Sequence, residues 1–279
     1  MYLKFNLYLY IVTLIVLFTA CSDKKSAQID PSLPQLERLD PEYTNVHFAN
    51  NVEVDVENSS WKNNNLHAGG GIAVGDIDND GLQDFVIISN QKAPGVFLNK
   101  GEFKFKDISA SSGLDKTPGW STGIVMEDIN CDGYIDIYIT KGIYQEKDPS
   151  KRINLLYINN QDNTFTEKAS QYGIASTNAT IQSAFFDYDL DGDLDLYLLN
   201  QPMDTDTFMV SQLGQKRMNT RESRNSDLLF RNDGNKFTNV SESMGITNWG
   251  NGLGIGISDI NEDGYPDIYV CNDFSVDNF

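Results

Sequence analysis

The sequence predicts an all-β chain of repeated four-stranded units, the architecture of a β-propeller, and three observations carry that prediction. An acidic nine-residue pattern, D-x-[DN]-x-D-G-x-x-D, occurs four times, and each copy runs straight into a short apolar strand. The copies start at 76, 128, 187 and 259, separations of 52, 59 and 72 residues. That is the scale of one propeller blade, with an insertion in the last interval. Between the copies lie short runs rich in Ile, Val, Tyr and Phe, bounded by Gly, Asn and Asp, the composition of strands and their turns.

The totals agree with a folded, cation-binding chain. With 279 residues, 40% of them hydrophobic, there is enough apolar material for a substantial core. Asp and Glu number 40 against 21 Lys and Arg, a formal charge of -19. Nucleic acid is therefore not an expected partner, because phosphate neutralisation needs clustered Lys and Arg; cations are.

The first element is an export signal over residues 1–20. Lys4 supplies the positive charge, Leu7 to Ala20 is nearly all apolar, and Thr19-Ala20 places small residues before Cys21. The apolar run is short for a bilayer span. The site resembles a bacterial lipobox, with Phe18 where such sites usually carry Leu. The resemblance implies that Cys21 becomes the lipidated first residue of an exported, membrane-anchored protein of the cell envelope. Ser22 after the cysteine implies sorting to the outer membrane. Lipidation of Cys21 leaves only Cys131 and Cys271, too few for a disulfide framework and expected as two unlinked thiols.

Residues 21–42 read as a polar tether carrying Lys24, Lys25, Pro31 and Pro34, and the repeats occupy 43–279. Each unit has two halves. The first is a Gly-rich strand, the acidic loop and a second strand, as in Gly71 to Ile88, and it recurs over Asp128 to Ile139, Asp187 to Leu199 and Asp259 to Val270. The second is an Asn-centred strand, a hairpin leading to Phe and a Gly-Leu or Gly-Ile close. Phe97-Leu98-Asn99, Phe105 and Gly113-Leu114 are echoed by Asn159, Phe165 and Gly173-Ile174, then by Asn232, Phe237 and Gly245-Ile246. The insertion, 201–226, concentrates Lys216, Arg217, Arg221 and Arg224 and is expected to be a surface loop or short helix.

The acidic loops are the candidate metal sites, and calcium is the expected cofactor. Ca2+ takes six to eight oxygen ligands, which a nine-residue loop supplies if positions 1, 3, 5 and 9 turn side-chain oxygens inward and position 7 offers its carbonyl. Loop one then provides Asp76, Asp78, Asp80, Leu82 and Asp84; loop two provides Asp128, Asn130, Asp132, Tyr134 and Asp136. Loop three provides Asp187, Asp189, Asp191, Asp193 and Asp195; loop four provides Asp259, Asn261, Asp263, Tyr265 and Asp267. Gly81, Gly133, Gly192 and Gly264 stand at the sharp turn. An EF-hand shares the opening of this pattern but needs Glu at position 12, where this chain has Ile87, Ile139, Leu198 and Val270. Asp, Asn and Gly are ordinary turn formers, so one copy is weak evidence; four matching copies are strong.

These residues resemble the FG-GAP or VCBS type of repeat. Gly69 to Gly81 and Tyr269-Val270-Cys271-Asn272-Asp273-Phe274 resemble more narrowly the family that joins such repeats to an ASPIC-type domain, as in cartilage acidic proteins. The resemblance implies a propeller, often seven-bladed, with calcium loops joining the first two strands of each blade, and a role in adhesion or in binding a protein or glycan ligand. About three and a half blades fit in this sequence, so the expectation is an N-terminal part of a longer protein.

No catalytic role is expected. His47 and His67 neighbour neither a nucleophile elbow nor a metal-ligand His spacing, no glycine loop opens a helix to cradle phosphate, and Trp61, Trp120 and Trp249 are best placed in packing. The expected function is a calcium-binding, lipid-anchored binding or adhesion module with structural calcium. The alternative is the propeller of an envelope hydrolase of glycans or phosphoesters whose catalytic residues lie outside this chain.

Overall fold

The computed structural model describes residues 36–55, 66, 69–114, 119–142, 148–201, 226–246 and 250–273. The expected export signal, Cys21, most of the expected tether, Trp61, His67, Trp249 and the basic residues of the insertion lie outside them. The chain divides into two compact units, 1–39 and 40–279, and every element named below is in the second. Among the described residues no helix is long and apolar enough to cross a membrane.

The fold is all-β and its sheets are propeller-type blades. Sheet one is β1 (Gly71–Gly75), β2 (Asp84–Ile88), β3 (Gly95–Asn99) and β4 (Phe105–Asp107). Sheet two is β5 (Ser121–Glu127), β6 (Asp136–Lys141), β7 (Leu155–Asn159) and β8 (Phe165–Glu167). Sheet three is β9 (Ala179–Phe186), β10 (Asp195–Gln201), β11 (Leu228–Asn232) and β12 (Phe237–Asn239). A fourth sheet pairs β13 (Asn251–Ser258) with β14 (Asp267–Asp273). Each sheet is an antiparallel meander with its strands in sequence order. First strands neighbour one another, β1 beside β5, β5 beside β9 and β9 beside β13, so successive sheets fan out from a common line.

The cores lie between sheets. Ile77, Val86, Ile88, Leu98, Ile137, Ile139, Leu155 and Tyr157 fill the space between sheets one and two. The next cluster takes the opposite faces of the same strands: Tyr138 on β6 and Leu156 and Ile158 on β7 meet Leu196, Leu198 and Phe230 of sheet three. Tyr197 and Leu199 then turn the other way, toward Val270 and Ile255 of sheet four. A strand alternates faces at every residue, and here both faces are apolar. This is why β6 and β10 are buried along their whole length and why their centres, 137–139 and 196–199, read as continuous apolar runs rather than as alternating ones.

Two recurrent details set the spacing between blades. Small residues stand where first strands crowd their neighbours: a Cβ at Gly75 would lie 2.7 Å from Ile135 Cδ1, and one at Gly123 would lie 2.8 Å from the Ile181 carbonyl oxygen. In sheets two and four the first strand carries a register shift at Ser121/Gly123 and Gly252/Gly254, and in sheet three pairing skips Ile181 between Thr180 and Gln182. Such bulges add local twist.

Residues ahead of β1 lie against sheet one. Asp40 caps α1 (Pro41–Thr44) by accepting from the Glu42 N–H at 2.8 Å. Asn45 Nδ2 then donates to the Phe105 carbonyl at 3.0 Å, and Asn50 Nδ2 donates to Asn90 Oδ1 at 2.7 Å. Trp120 is buried and His47 is exposed. Cys131 and Cys271 are free and exposed.

Candidate metal centre

Each acidic loop joins the first two strands of its sheet in one register. The residue before the loop pairs with its ninth: Gly75 with Asp84, Glu127 with Asp136, Phe186 with Asp195 and Ser258 with Asp267. The internal bonding repeats as well. The first aspartate accepts two backbone N–H groups, with Asp76 Oδ1 taking Asp80 N at 3.1 Å and Oδ2 taking Gly81 N at 2.9 Å. Asp128, Asp187 and Asp259 clasp their loops in the same way. The fifth aspartate accepts from the seventh N–H, Asp80 from Leu82 at 2.9 Å, Asp132 from Tyr134 at 3.0 Å, Asp191 from Asp193 at 3.1 Å and Asp263 from Tyr265 at 2.9 Å. Those clasps bend the chain so that the sixth residue is left-handed in every loop, where glycine fits. The fourth is left-handed too, at Asn79, Cys131, Leu190 and Glu262. No shared residue type marks that position, so sequence alone does not reveal it.

The ninth aspartate is the hub. Asp84 Oδ2 accepts from the Ile77 N–H at 2.8 Å inside the loop, and Oδ1 accepts from the Asn99 N–H at 2.7 Å at the end of the third strand. Asp136 does the same with Ile129 and Asn159, and Asp195 with Tyr188 and Asn232. The asparagines complete the joint: Asn99 Nδ2 donates to the Gln83 carbonyl at 3.0 Å, Asn159 Nδ2 to Ile135 at 3.2 Å and Asn232 Nδ2 to Leu194 at 3.2 Å. The Asn-centred strand of the sequence motif thus holds the acidic loop from the second half of the blade, a role that only the folded contacts reveal. In loops one and two the second residue anchors the loop from below, because Ile77 and Ile129 are buried in the cores between sheets.

Adjacent loops touch. Asn79 Nδ2 donates to the Gly133 carbonyl at 3.0 Å, linking loop one to loop two. Asp193 of loop three and Asp128 lie close enough to Cys131 to help burial push its thiol up.

Burial and mutual repulsion mark these carboxylates. Asp84, Asp136 and Asp195 are fully buried. Burial, against the opposing pull of two backbone N–H groups, pushes Asp136 up to about 7 and Asp195 up to about 6, and raises Asp84. Aspartates of the same loop add to each rise.

Asp76, Asp78 and Asp84 bring one oxygen each within 4.8 Å of one another, and so do Asp187, Asp189 and Asp195. Positions 1, 3 and 9 thus converge in loops one and three, while Asp80 and Asp191 stand outside the tightest group. Loops two and four carry Asn130 and Asn261 at position 3, so Asp128, Asp132 and Asp136, and likewise Asp259, Asp263 and Asp267, form no such carboxylate trio. The donors fit a hard cation on a further ground. Asp78 Oδ1, Asp189 Oδ1 and Asp193 Oδ1 are buried without a hydrogen-bond partner. A buried carboxylate oxygen with no donor is costly unless a cation faces it. The acidic clusters can therefore hold a metal ion. In loop one a protein cation is also present: Lys100 Nζ lies 3.4 Å from Asp78 Oδ2 and 3.2 Å from Asp80 Oδ2.

Residues 61–139 match the FG-GAP-like repeat. Cartilage acidic protein 1 of Xenopus tropicalis is 32% identical over 139 residues, 49% of this chain and 20% of that one. Cartilage acidic protein 1 of Homo sapiens is 28% identical over 134 residues, 47% of this chain and 19% of its own. The chain's match spans about a fifth of the length of these curated relatives. A solved structure concerning specific recognition of non-reducing terminal N-acetylglucosamine by an Agrocybe aegerita lectin covers 73% of this chain and 47% of its own at 18% identity, with a TM-score of 0.42.

Proposed function

We propose that this chain, which carries FG-GAP-like repeat blades, is a calcium-dependent binding module of the cell envelope whose ions are structural rather than catalytic. The observation that supports it best is the fourfold recurrence of one loop, with the same clasps at positions 1, 5 and 9 and with buried, unpartnered aspartate oxygens in loops one and three. Hard oxygen donors suit calcium better than softer metals. Side-chain oxygens of positions 1, 3, 5 and 9 and the position 7 carbonyl would hold the ion, which supplies the positive charge that the crowded carboxylates lack. The chain's own contribution is orientation: the ninth aspartate and its asparagine fix the loop against the third strand.

The rest of the proposal concerns address and partner. Residues 1–20 direct export, Cys21 carries the lipid, 21–42 forms the tether, and the protein is held at the outer membrane. The blades bind a protein or glycan in an adhesive role. Likeness to cartilage acidic protein 1 over about half of this chain favours a binding module over an enzyme.

Calcium should contribute to stability. A site with a dissociation constant of about 10⁻⁴ M gains about 1.4 kcal/mol in roughly millimolar calcium. Four independent sites gain about 5–6 kcal/mol, comparable with the stability of a whole domain. Removing calcium with EDTA is expected to lower the melting temperature by several degrees or more, and added calcium should restore it, read by circular dichroism. A melting curve that ignores both additions would overturn the calcium reading.

A further inference from the structure

Loops one and three present the same four carboxylates at positions 1, 3, 5 and 9, yet the charges around them differ. The residue that follows the hub asparagine is Lys100 in sheet one, Asn160 in sheet two and Asp233 in sheet three. These are structurally equivalent positions, each opening the hairpin into the fourth strand: Lys100 N donates to the Lys104 carbonyl, Asn160 N to Thr164 and Asp233 N to Lys236. Because the Asn99 N–H is bonded to Asp84, the chain necessarily carries residue 100 across the mouth of loop one. There its ammonium reaches Asp78 Oδ2 and Asp80 Oδ2. In sheet two the nearest counterpart is a neutral amide, Gln161 Nε2, 3.5 Å from Asp132 Oδ2. In sheet three the neighbouring cation, Arg231, gives its Nε and Nη hydrogen bonds to Asp233, each at 3.1 Å, and acts on Asp189 of the loop only through its charge.

We propose that Lys100 is a tethered counter-ion of loop one, which neutralises Asp78 and Asp80 when no metal is bound and must withdraw before a divalent cation takes them. The inference rests on the calcium reading of the loops and gives their order of filling. Loop three, with the same carboxylates plus Asp193 and, among the described residues, no ammonium hydrogen-bonded to them, fills first. Loop one fills later but keeps its shape without metal, because one protein cation already offsets the repulsion among its aspartates. The side chain of Lys100 is 42% exposed, so it can swing into solvent while its backbone stays bonded.

Position-6 glycines report each loop separately, since the N–H of Gly81 bonds to Asp76 and that of Gly192 to Asp187. The test follows their amide signals by NMR in the glycine-labelled 279-residue chain, stripped of metal and titrated with calcium. In the parent chain the Gly192 midpoint should fall at a lower calcium concentration than the Gly81 midpoint. In Lys100→Met the Gly81 midpoint should drop by about five- to tenfold, the scale of an exposed ion pair plus the relief of cation–cation repulsion. Gly192 should be unmoved, and Lys100→Arg should keep the parent midpoint. A Gly81 midpoint that is the same in the parent and Lys100→Met, while Gly192 titrates normally, overturns this inference and leaves the calcium reading standing. Glycine signals that ignore calcium in every variant overturn both.

Discussion

At Asp136, burial works against the charged form that a bound cation would favour. Its carboxyl is pushed up to about 7 from 3.8, first by loss of water, with the Asn159 and Ile129 N–H groups pulling the other way. A folded-state value above the unfolded one means that the native protein binds the proton more tightly. This group therefore favours the fold at low pH and loses that contribution as pH rises from about 4 through about 7. Asp195, raised to about 6, acts in the same direction over a narrower window. Calcium-stripped protein should accordingly melt higher at pH 5.5 than at pH 7.5, and saturating calcium should flatten the slope, because the bound cation favours the ionised form. Asp136→Asn is expected to flatten it too, while costing about 1–3 kcal/mol because an amide has only one acceptor oxygen for two buried N–H groups. A stripped protein whose melting temperature climbs from pH 5.5 to 7.5 would contradict this account.

At the scale of elements, the Gly-Leu or Gly-Ile close of one unit is a lock on the next. Gly113 precedes Leu114 in the core between sheets one and two, and the Ser112 carbonyl accepts from the Phe165 N–H of β8 at 2.7 Å. Gly173 ends α2 (Ala169–Tyr172) in the left-handed region, at φ 85°, and a Cβ there would lie 2.8 Å from the Phe237 carbonyl oxygen of β12. The following Ile174 is buried, and its carbonyl accepts from the Tyr138 hydroxyl at 2.8 Å. Gly245 is also left-handed, but a Cβ there would meet nothing within 4 Å. Gly173→Ala should thus cost about 2 kcal/mol or more, left-handed strain plus a clash with backbone, and Gly245→Ala only the strain of about 1–2 kcal/mol. Urea denaturation of the two variants in calcium measures the difference, and equal losses would remove the clash from the explanation. The spacing of these glycines was visible in the sequence. Their contact with the neighbouring sheet was not, because a recurring Gly signals a left-handed turn without saying what presses on it.

Across the whole molecule, stability should run from sheet to sheet as in a repeat array, since each core is shared by two neighbours. Sheets two and three are covered on both faces, whereas sheet four offers two described strands and leaves Leu253, and Ile260 of its loop, exposed. Amide hydrogen exchange in this chain is expected to be slowest along β6 and β10 and markedly faster along β14. Uniform protection across the three would mean that the sheets unfold as one unit. The sequence by itself determined the all-β class, the blade period and the acidic loop residues, because each depends on local patterns: short apolar strands, turn glycines and clustered carboxylates repeated in register. Tertiary structure decided what those residues face. It buried the ninth aspartate under the asparagine of the third strand, turned both faces of β6 and β10 into separate cores, brought Asn79 onto the next loop and set Lys100 over Asp78 and Asp80. Those pairings join residues from different strands and sheets, and local periodicity holds no record of a contact made by folding.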